Sequence, residues 1–355
     1  MNRPLPFLLM AALIAYGSLF PFEFHALDAQ RLDAFLHQMR WWSSRGDVLG
    51  NIVLFVPMGL SGWFAFAGSA RRRALLCMAS GLPFAMLLQL IQLWLPMRDA
   101  AVGDVLWNTV GLTLGLLAAP PLANWRPAAT SATAPLALIG LWAAVQCLPL
   151  VPSLDLTLLA TQLHALIATG NWAWADLLGG LLPLLALACL MQQALGRART
   201  ALLLPLLICA LIWVQLFLVQ SAIVPAKFAG WALGLLLWPW FEARLAAHPA
   251  RAALLMLVAI TVAALAPYEL RDAPGTLHWL PFETALSDSM LNNARALGSS
   301  LTQYAITLYL IRLATGHSKA FTIGLAGWVA LLEVVQLMLP QRTSDLTEAL
   351  LVLLA

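Results

Sequence analysis

Charge is what this chain lacks most. Only 10% of its 355 residues are charged, against 62% hydrophobic, where a soluble domain carries roughly 25% charged residues. A water-soluble fold of that composition would expose far too much apolar surface, so lipid is the solvent that suits it. Cysteine is scarce as well. Cys77, Cys147, Cys189 and Cys209 all fall inside apolar runs without CxxC or Cys/His spacing, which reads as small buried hydrophobes rather than a zinc framework. The histidines (His25, His37, His164, His248, His278 and His317) are scattered without ligand spacing. No Walker loop, G-x-S-x-G, H-E-x-x-H or dinucleotide fingerprint occurs. The residues therefore suggest no cofactor, no metal and no nucleophile–base pair. A net charge of +3 gives no reason to expect nucleic acid.

What is present is a series of apolar runs. A spanning helix needs about 20 such residues, and runs occur near 5–20, 48–67, 74–95, 103–119, 134–150, 174–192, 201–219, 228–241, 252–266, 290–311, 320–339 and 345–355. The last is too short to cross alone. The expected fold is all-α, a polytopic transmembrane helical bundle of about 11–12 spans. Met1-Asn2-Arg3 followed by an apolar run to Phe20 could pass for a secretion signal. No A-x-A-like site follows, and the run reads as the first span. Alternate loops carry Arg71-Arg72-Arg73, Arg126, Arg197 with Arg199, Arg244 with Arg251, and Arg312 with Lys319, and Arg3 lies on that same side. The positive-inside bias makes that side cytoplasmic and puts the N-terminus inside a multi-pass cell membrane. Of the 16 acidic residues, only Glu242 falls in a cytoplasmic loop.

The chain also repeats itself. LLQLIQLWLPMR at 87–98 lies beside LLEVVQLMLPQR at 331–342, matching Gln92 with Gln336, Pro96 with Pro340 and Arg98 with Arg342; continued without a gap, Asp104 meets Glu348. Pro21-Phe22-Glu23 resembles Pro267-Tyr268-Glu269, and Asp47 with Asn51 resembles Asp288 with Asn292. A fainter middle copy keeps Asp176, Gly180, Gln215 and Gly230-x-x-x-Gly234, the last like Gly111-x-x-x-Gly115. The period is about 120 residues, or four spans, which predicts three parallel repeats: 1–125, 126–248 and a truncated 249–355. The GxxxG pairs read as close helix packing. Residues 27–39, 154–171 and 279–289 read as short helices lying in the outer interface.

Polar side chains gather at the outer end of the first unit: Asp47 and Asn51 on the second span, Gln89 and Gln92 on the third, Arg98 in the loop, and Asp104 with Asn108 opening the fourth. Polar groups at membrane depth are costly and face inward, paired. Arg98 suits a carboxylate or phosphate bound in bidentate fashion, or else an internal partner, Asp47 or Asp104. Two readings stay open: a network that locks helix ends, and a ligand or lipid-headgroup site. The C-terminal copy keeps Asp288, Asn292, Glu333, Gln336, Arg342, Asp345 and Glu348.

Arg45-Gly46-Asp47-x-x-x-Asn51-Ile52-x-Leu54-Phe55-x-Pro57-x-Gly59 resembles the opening signature of VanZ-like membrane proteins. Gln89-x-x-Gln92 through Arg98, Asp104, Asn108, Gly111 and Gly115 resembles the rest. The resemblance covers about residues 10–118, and residues 260–355 are similar at Glu333, Gln336, Arg342, Asp345 and Glu348. Gln89 stands where the family often has Glu, and Val352 where it has Asn. The family takes its name from a protein associated with low-level teicoplanin resistance, so the resemblance implies a role at the cell envelope. The expected function is binding of an amphiphile or lipid-linked headgroup at the outer face, with membrane lipids or lipid-linked envelope intermediates as partners. Transport or flipping of a lipid or small molecule, and a membrane-embedded lipid-modifying enzyme, are the alternatives.

Overall fold

Apolar segments in lipid find no water for their N–H and C=O groups, so they close hydrogen bonds within themselves as helices. The structure, a computed structural model, describes residues 4–20, 22–37, 41, 45–96, 98–124, 130–148, 155–167, 172–219, 223–284, 290–316, 319–340 and 342–355; within its helices, the side chains at 45–47, 49, 123–124, 130–131, 156, 290–292 and 294 fall outside that description. The described residues form fourteen helices, and 80% of the structure is helical.

Two compact units divide the chain, at 1–126 and 127–355. The first holds α1 (Leu5–Leu19), α2 (Ala29–His37), α3 (Arg45–Ala65), α4 (Ala70–Gln92) and α5 (Val102–Asn124). The second holds α6 (Thr130–Gln146), α7 (Leu156–Ile167), α8 (Trp174–Leu195), α9 (Arg197–Leu216), α10 (Pro225–Ala247), α11 (Pro249–Leu265), α12 (Met290–Thr315), α13 (Lys319–Gln336) and α14 (Thr347–Leu354). It also contains β1 (Leu277–His278), paired in parallel with β2 (Ser344–Asp345). The division expected after residue 248 falls inside this second unit, between α10 and α11.

Glycine decides how the first unit packs. A Cβ on Gly111 would lie 2.2 Å from the Ile52 carbonyl oxygen, one on Gly115 2.1 Å from that of Val56, and one on Gly59 2.1 Å from that of Leu112. Residue numbers rise together along the two helices, so α3 and α5 run parallel, backbone against backbone. Leu112 and Leu116 of α5 then close a core with Phe7 and Ile14 of α1, Phe55 and Met58 of α3, and Cys77, Ala85 and Leu88 of α4. In the second unit α8 and α10 approach in the same way: a Cβ on Gly180 would lie 2.2 Å from Lys227 O, and one on Gly230 2.2 Å from Leu177 O. Helix α8 is the hub there, buried without a break from Leu184 to Met191. Around it pack Leu204 and Ile208 of α9, Trp231 and Trp238 of α10, Met256 of α11 and Ile306 of α12.

Polar contacts finish the ends. Glu242, the one acid expected on the basic side, pairs with Arg197 at the start of α9. Asp155 begins α7 by accepting from Thr157 N at 2.8 Å and from its hydroxyl at 2.7 Å, and these bonds hold its carboxyl below the usual carboxylate range. Gln162 of α7 donates to Leu218 O at 2.9 Å.

By length and composition, five described helices can each cross a bilayer: α4, α5 (as Val102–Leu122), α8, α9 and α13. The pair α10–α11, which turns by 119° at the break, makes a sixth candidate. The expected count of about 11–12 counted shorter runs as spans. The helices with fully described side chains over Leu5–Leu19, Gly50–Ala65 and Ala132–Gln146 are apolar as well, over shorter described stretches.

Gly115→Ala should lower the stability of the solubilised protein by about 1–3 kcal/mol through overpacking, although alanine gains roughly 0.5–1 kcal/mol as a helix former. Gly140→Ala, where an added Cβ meets nothing within 4 Å, should be neutral or stabilising. Thermal midpoints in detergent check both, and an unchanged midpoint for Gly115→Ala would refute the backbone contact.

Candidate functional site

A helix ends with carbonyls that lack a helical donor. At the end of α1 side chains from elsewhere supply those donors. Gln92, at the end of α4, donates through Nε2 to Ser18 O at 2.8 Å. Arg98, in the loop between α4 and α5, donates through Nε to Phe20 O at 3.1 Å and through Nη2 to Gly17 O at 3.0 Å. A cation at a helix C-terminus also meets the negative end of the helix dipole. Burial pulls the Arg98 guanidinium below its ordinary value. It makes no ion pair with a carboxylate among the described residues.

The loop that carries Arg98 is itself held from two sides. Arg31 of α2 donates to Leu93 O at 3.3 Å, to Leu95 O at 2.8 Å and to Arg98 O. His25 N donates to Trp94 O at 2.8 Å. Gln89 accepts from Ala101 N at 3.0 Å, just before α5. Gln89 and Gln92 are buried and Arg98 is half-buried.

The parallel pairing of α3 with α5 brings the remaining candidates to this same end. Asn108 lies less than a turn before Gly111, which meets Ile52, and so stands level with the turn of α3 that ends at Asn51. Asn51 and Asp104 are half-buried. Asn108 is 3% exposed, and its carbonyl oxygen finds no hydrogen-bond partner among the described residues. The Asp47 side chain lies outside the described residues; its backbone is in the first turn of α3. A cleft of about 420 Å³ lined by Trp63, Arg71, Met78, Thr113 and Pro120 opens where α4 begins and α5 ends, at the far end of the unit from Arg98.

Similar contacts occur in the second unit. Gln336 donates to Ala264 O at 3.1 Å, and Arg342 donates through Nε to Ala266 O at 2.8 Å and through Nη2 to Ala263 O at 2.6 Å, all at the end of α11. Glu333 accepts from Asp345 N at 3.1 Å, as Gln89 accepts from Ala101 N. The surroundings differ, being rich in acid. Glu348 accepts from Ser300 at 3.1 Å and from the Tyr304 hydroxyl at 2.7 Å. Asp345 accepts from Thr347 N at 2.8 Å and from Thr284. Arg342 also lines an open cleft of about 360 Å³ with Arg271, Thr276, His278 and Thr343. Asp288 and the Asn292 side chain lie outside the described residues.

Sequence reasoning missed Arg31, Ser300, Tyr304 and Thr284. Each acts on a partner more than 40 residues away, and no local spacing marks such contacts. It also passed over Lys227, just outside an apolar run, and Arg295, which a scan for lone cations inside apolar runs would have found.

Residues 7–124 match the profile of the VanZ/LLP1 family, so the chain carries a VanZ-like unit at its N-terminus. No curated protein and no solved structure matches the chain.

If Arg98 caps α1, Arg98→Ala strands the carbonyls of Gly17 and Phe20, at about 1–3 kcal/mol for each acceptor left buried without a donor. The thermal midpoint should fall, and Arg342→Ala should lower it by the same route through Ala263 and Ala266. Midpoints equal to wild type would show that these bonds carry no stability.

Proposed function

We propose that the VanZ-like unit binds the anionic headgroup of an amphiphile, such as a lipid-linked envelope intermediate, on the outer face of the cell membrane, with the N-terminus inside. One observation carries this reading. At the same end of the unit as the half-buried Arg98 guanidinium, the buried Asn108 carbonyl oxygen has no donor among the described residues. A guanidinium has five N–H donors, and the two bonds to α1 leave Nη1 and part of Nη2 for a ligand. A charge inside a protein without a carboxylate partner attracts an anion, and bidentate contact with phosphate or carboxylate is what arginine does best. Asn108 supplies the acceptor that a headgroup hydroxyl or amine needs. The N-termini of the parallel helices α3 and α5 add the positive ends of two dipoles. Exposed Leu8, Val53 and Leu87 on α1, α3 and α4 leave apolar surface for an acyl or polyprenyl tail.

The family resemblance supports a link to glycopeptide resistance. The parallel set of contacts made by Gln336, Arg342 and Glu333 supports the reading of residues 249–355 as a divergent second copy, and the Gly180–Gly230 approach supports a degenerate one before it.

Arg98 serves both fold and proposed ligand, so Asn108 is the better probe. Asn108→Leu removes an unsatisfied buried acceptor, and the thermal midpoint should hold or rise, by about 1 kcal/mol of stability. In a glycopeptide-sensitive host, at matched membrane abundance, wild type should raise resistance to teicoplanin-type drugs and Asn108→Leu should not. Full protection by Asn108→Leu would remove Asn108 from the site. A wild type that fails to protect would sever the link to glycopeptides.

A further inference from the structure

Two cations of the second unit have no part in the site above. Lys227 lies in the first turn of α10 and Arg295 near the start of α12, and both are half-buried. The packing of three neighbours brings them to one place. Lys227 donates to Gln146 Oε1 at 2.7 Å, at the last residue of α6, and Gln146 is itself buried. A Cβ on Gly298 would lie 3.1 Å from Val145 Cγ2, which sets the turn of α12 that carries Arg295 against that same end of α6. Gly180 meets the Lys227 carbonyl, which sets α8 behind α10. Arg295 and Asp176 both lie close enough to act on the Lys227 charge. The site thus stands where α6 ends and α8, α10 and α12 begin.

The protein compensates these charges poorly. Among the described residues the Lys227 ammonium has one hydrogen bond, and it sits 5.5 Å from the centre of the Trp231 ring, a cation–π contact that is attractive but brings no counter-charge. Trp231 is held by Trp142 and Phe228, at ring distances of 5.8 and 5.1 Å. Arg295 makes no hydrogen bond and no ion pair among the described residues. Among the described residues, Asp176 is the acid that acts on Lys227, and it is exposed and forms no ion pair with either cation. Two like charges beside one another at the edge of an apolar bundle repel, and burying them without a partner is costly. An anion seated between them removes both penalties. The ammonium and the forked guanidinium together present the donors that a tetrahedral phosphate accepts.

We propose that Lys227 and Arg295 form an anion site for a phosphate group, carried either by an anionic membrane lipid or by a soluble phosphate. It is independent of the Arg98 reading, since it shares no residue with it and lies in the other unit. The tilted rings of Trp142, Phe228 and Trp231 form its apolar wall, and Gln146 fixes the lysine so that its remaining N–H groups are available.

The test uses the full chain purified in a neutral maltoside detergent. Native mass spectrometry reads retention of phosphatidylglycerol against phosphatidylcholine, and thermal shift reads binding of inorganic phosphate. Wild type should retain phosphatidylglycerol over phosphatidylcholine or be stabilised by phosphate; the first outcome assigns the lipid and the second the soluble ion. The Lys227→Gln/Arg295→Gln double variant should bind about tenfold more weakly, and Lys227→Arg/Arg295→Lys should bind as wild type does. If the double variant fails to fold, Arg295→Gln alone decides, because that side chain has no described partner to strand. Equal binding by wild type and the glutamine variant, or no preference of wild type for either anion, overturns the proposal.

Discussion

The first unit depends on one close approach, that of α3 and α5 through Gly59, Gly111 and Gly115. In lipid there is no hydrophobic force between helices, so association rests on van der Waals contact and on the few polar bonds that helices share. Glycine lets the two backbones touch, and touching fixes the direction: the helices run parallel. Two parallel helices begin at one end, and the intervening α4 must finish there. Helix α1 ends there too, since Gln92 of α4 reaches its last carbonyls. The polar residues of the unit gather at that end because four helix termini meet there and lipid cannot solvate them. Arg98, Gln92, Gln89 and Arg31 answer that need with side-chain donors and acceptors.

A network that answers a folding need is a site only where it is left incomplete. Gln89 and Gln92 each have a backbone partner. The Asn108 carbonyl oxygen has none among the described residues, and the Arg98 charge is met by carbonyl dipoles rather than by a described carboxylate. The second unit makes an instructive contrast. Arg342 caps α11 in the same manner, but Glu333 replaces an amide, and Glu348 gathers the hydroxyls of Ser300 and Tyr304. Changing Gln89 for a residue like Glu333 keeps the hydrogen bond to the following backbone and reverses the electrostatics. A ligand held by the positive end of the first unit would meet acid in the second. The two arrangements can share a scaffold without sharing a ligand.

The helical class was legible in the composition alone, since 10% charge leaves no water-soluble alternative. The glycine pairs were legible as packing positions because small residues four apart share a helix face. Gln92 with Arg98 and Gln336 with Arg342 were legible as partners in pattern. Their acceptors were not: a carbonyl at the end of a helix has no residue type, so nothing in the sequence marks Gly17 or Ala263 as a target. The number of spans is less legible. Hydropathy registers apolar runs but not where a helix starts, and among the described residues five helices, or six with the bent pair, have the length and composition of a span. Lys227 escaped notice because it sits at the very start of its run, where a cation reads as a loop residue. Only the packing of α10 on α6 and α8 shows it to be enclosed.

The chain thus handles its enclosed cations in different ways, and the difference separates structure from function. Arg98 faces a helix C-terminus, whose partial charge of about half a unit offsets part of its own. Lys227 faces an amide oxygen and an indole ring, which supply dipole and quadrupole but no net charge. Arg295 has the Cys147 thiol near it but no hydrogen bond or ion pair among the described residues, with a second cation nearby. Along that series the protein contributes less and the environment must contribute more. A purely structural cation has no reason to remain unsatisfied when one substitution to an apolar residue would remove the cost. The less of its own neutralisation the fold provides, the stronger the case that an anion from outside completes it.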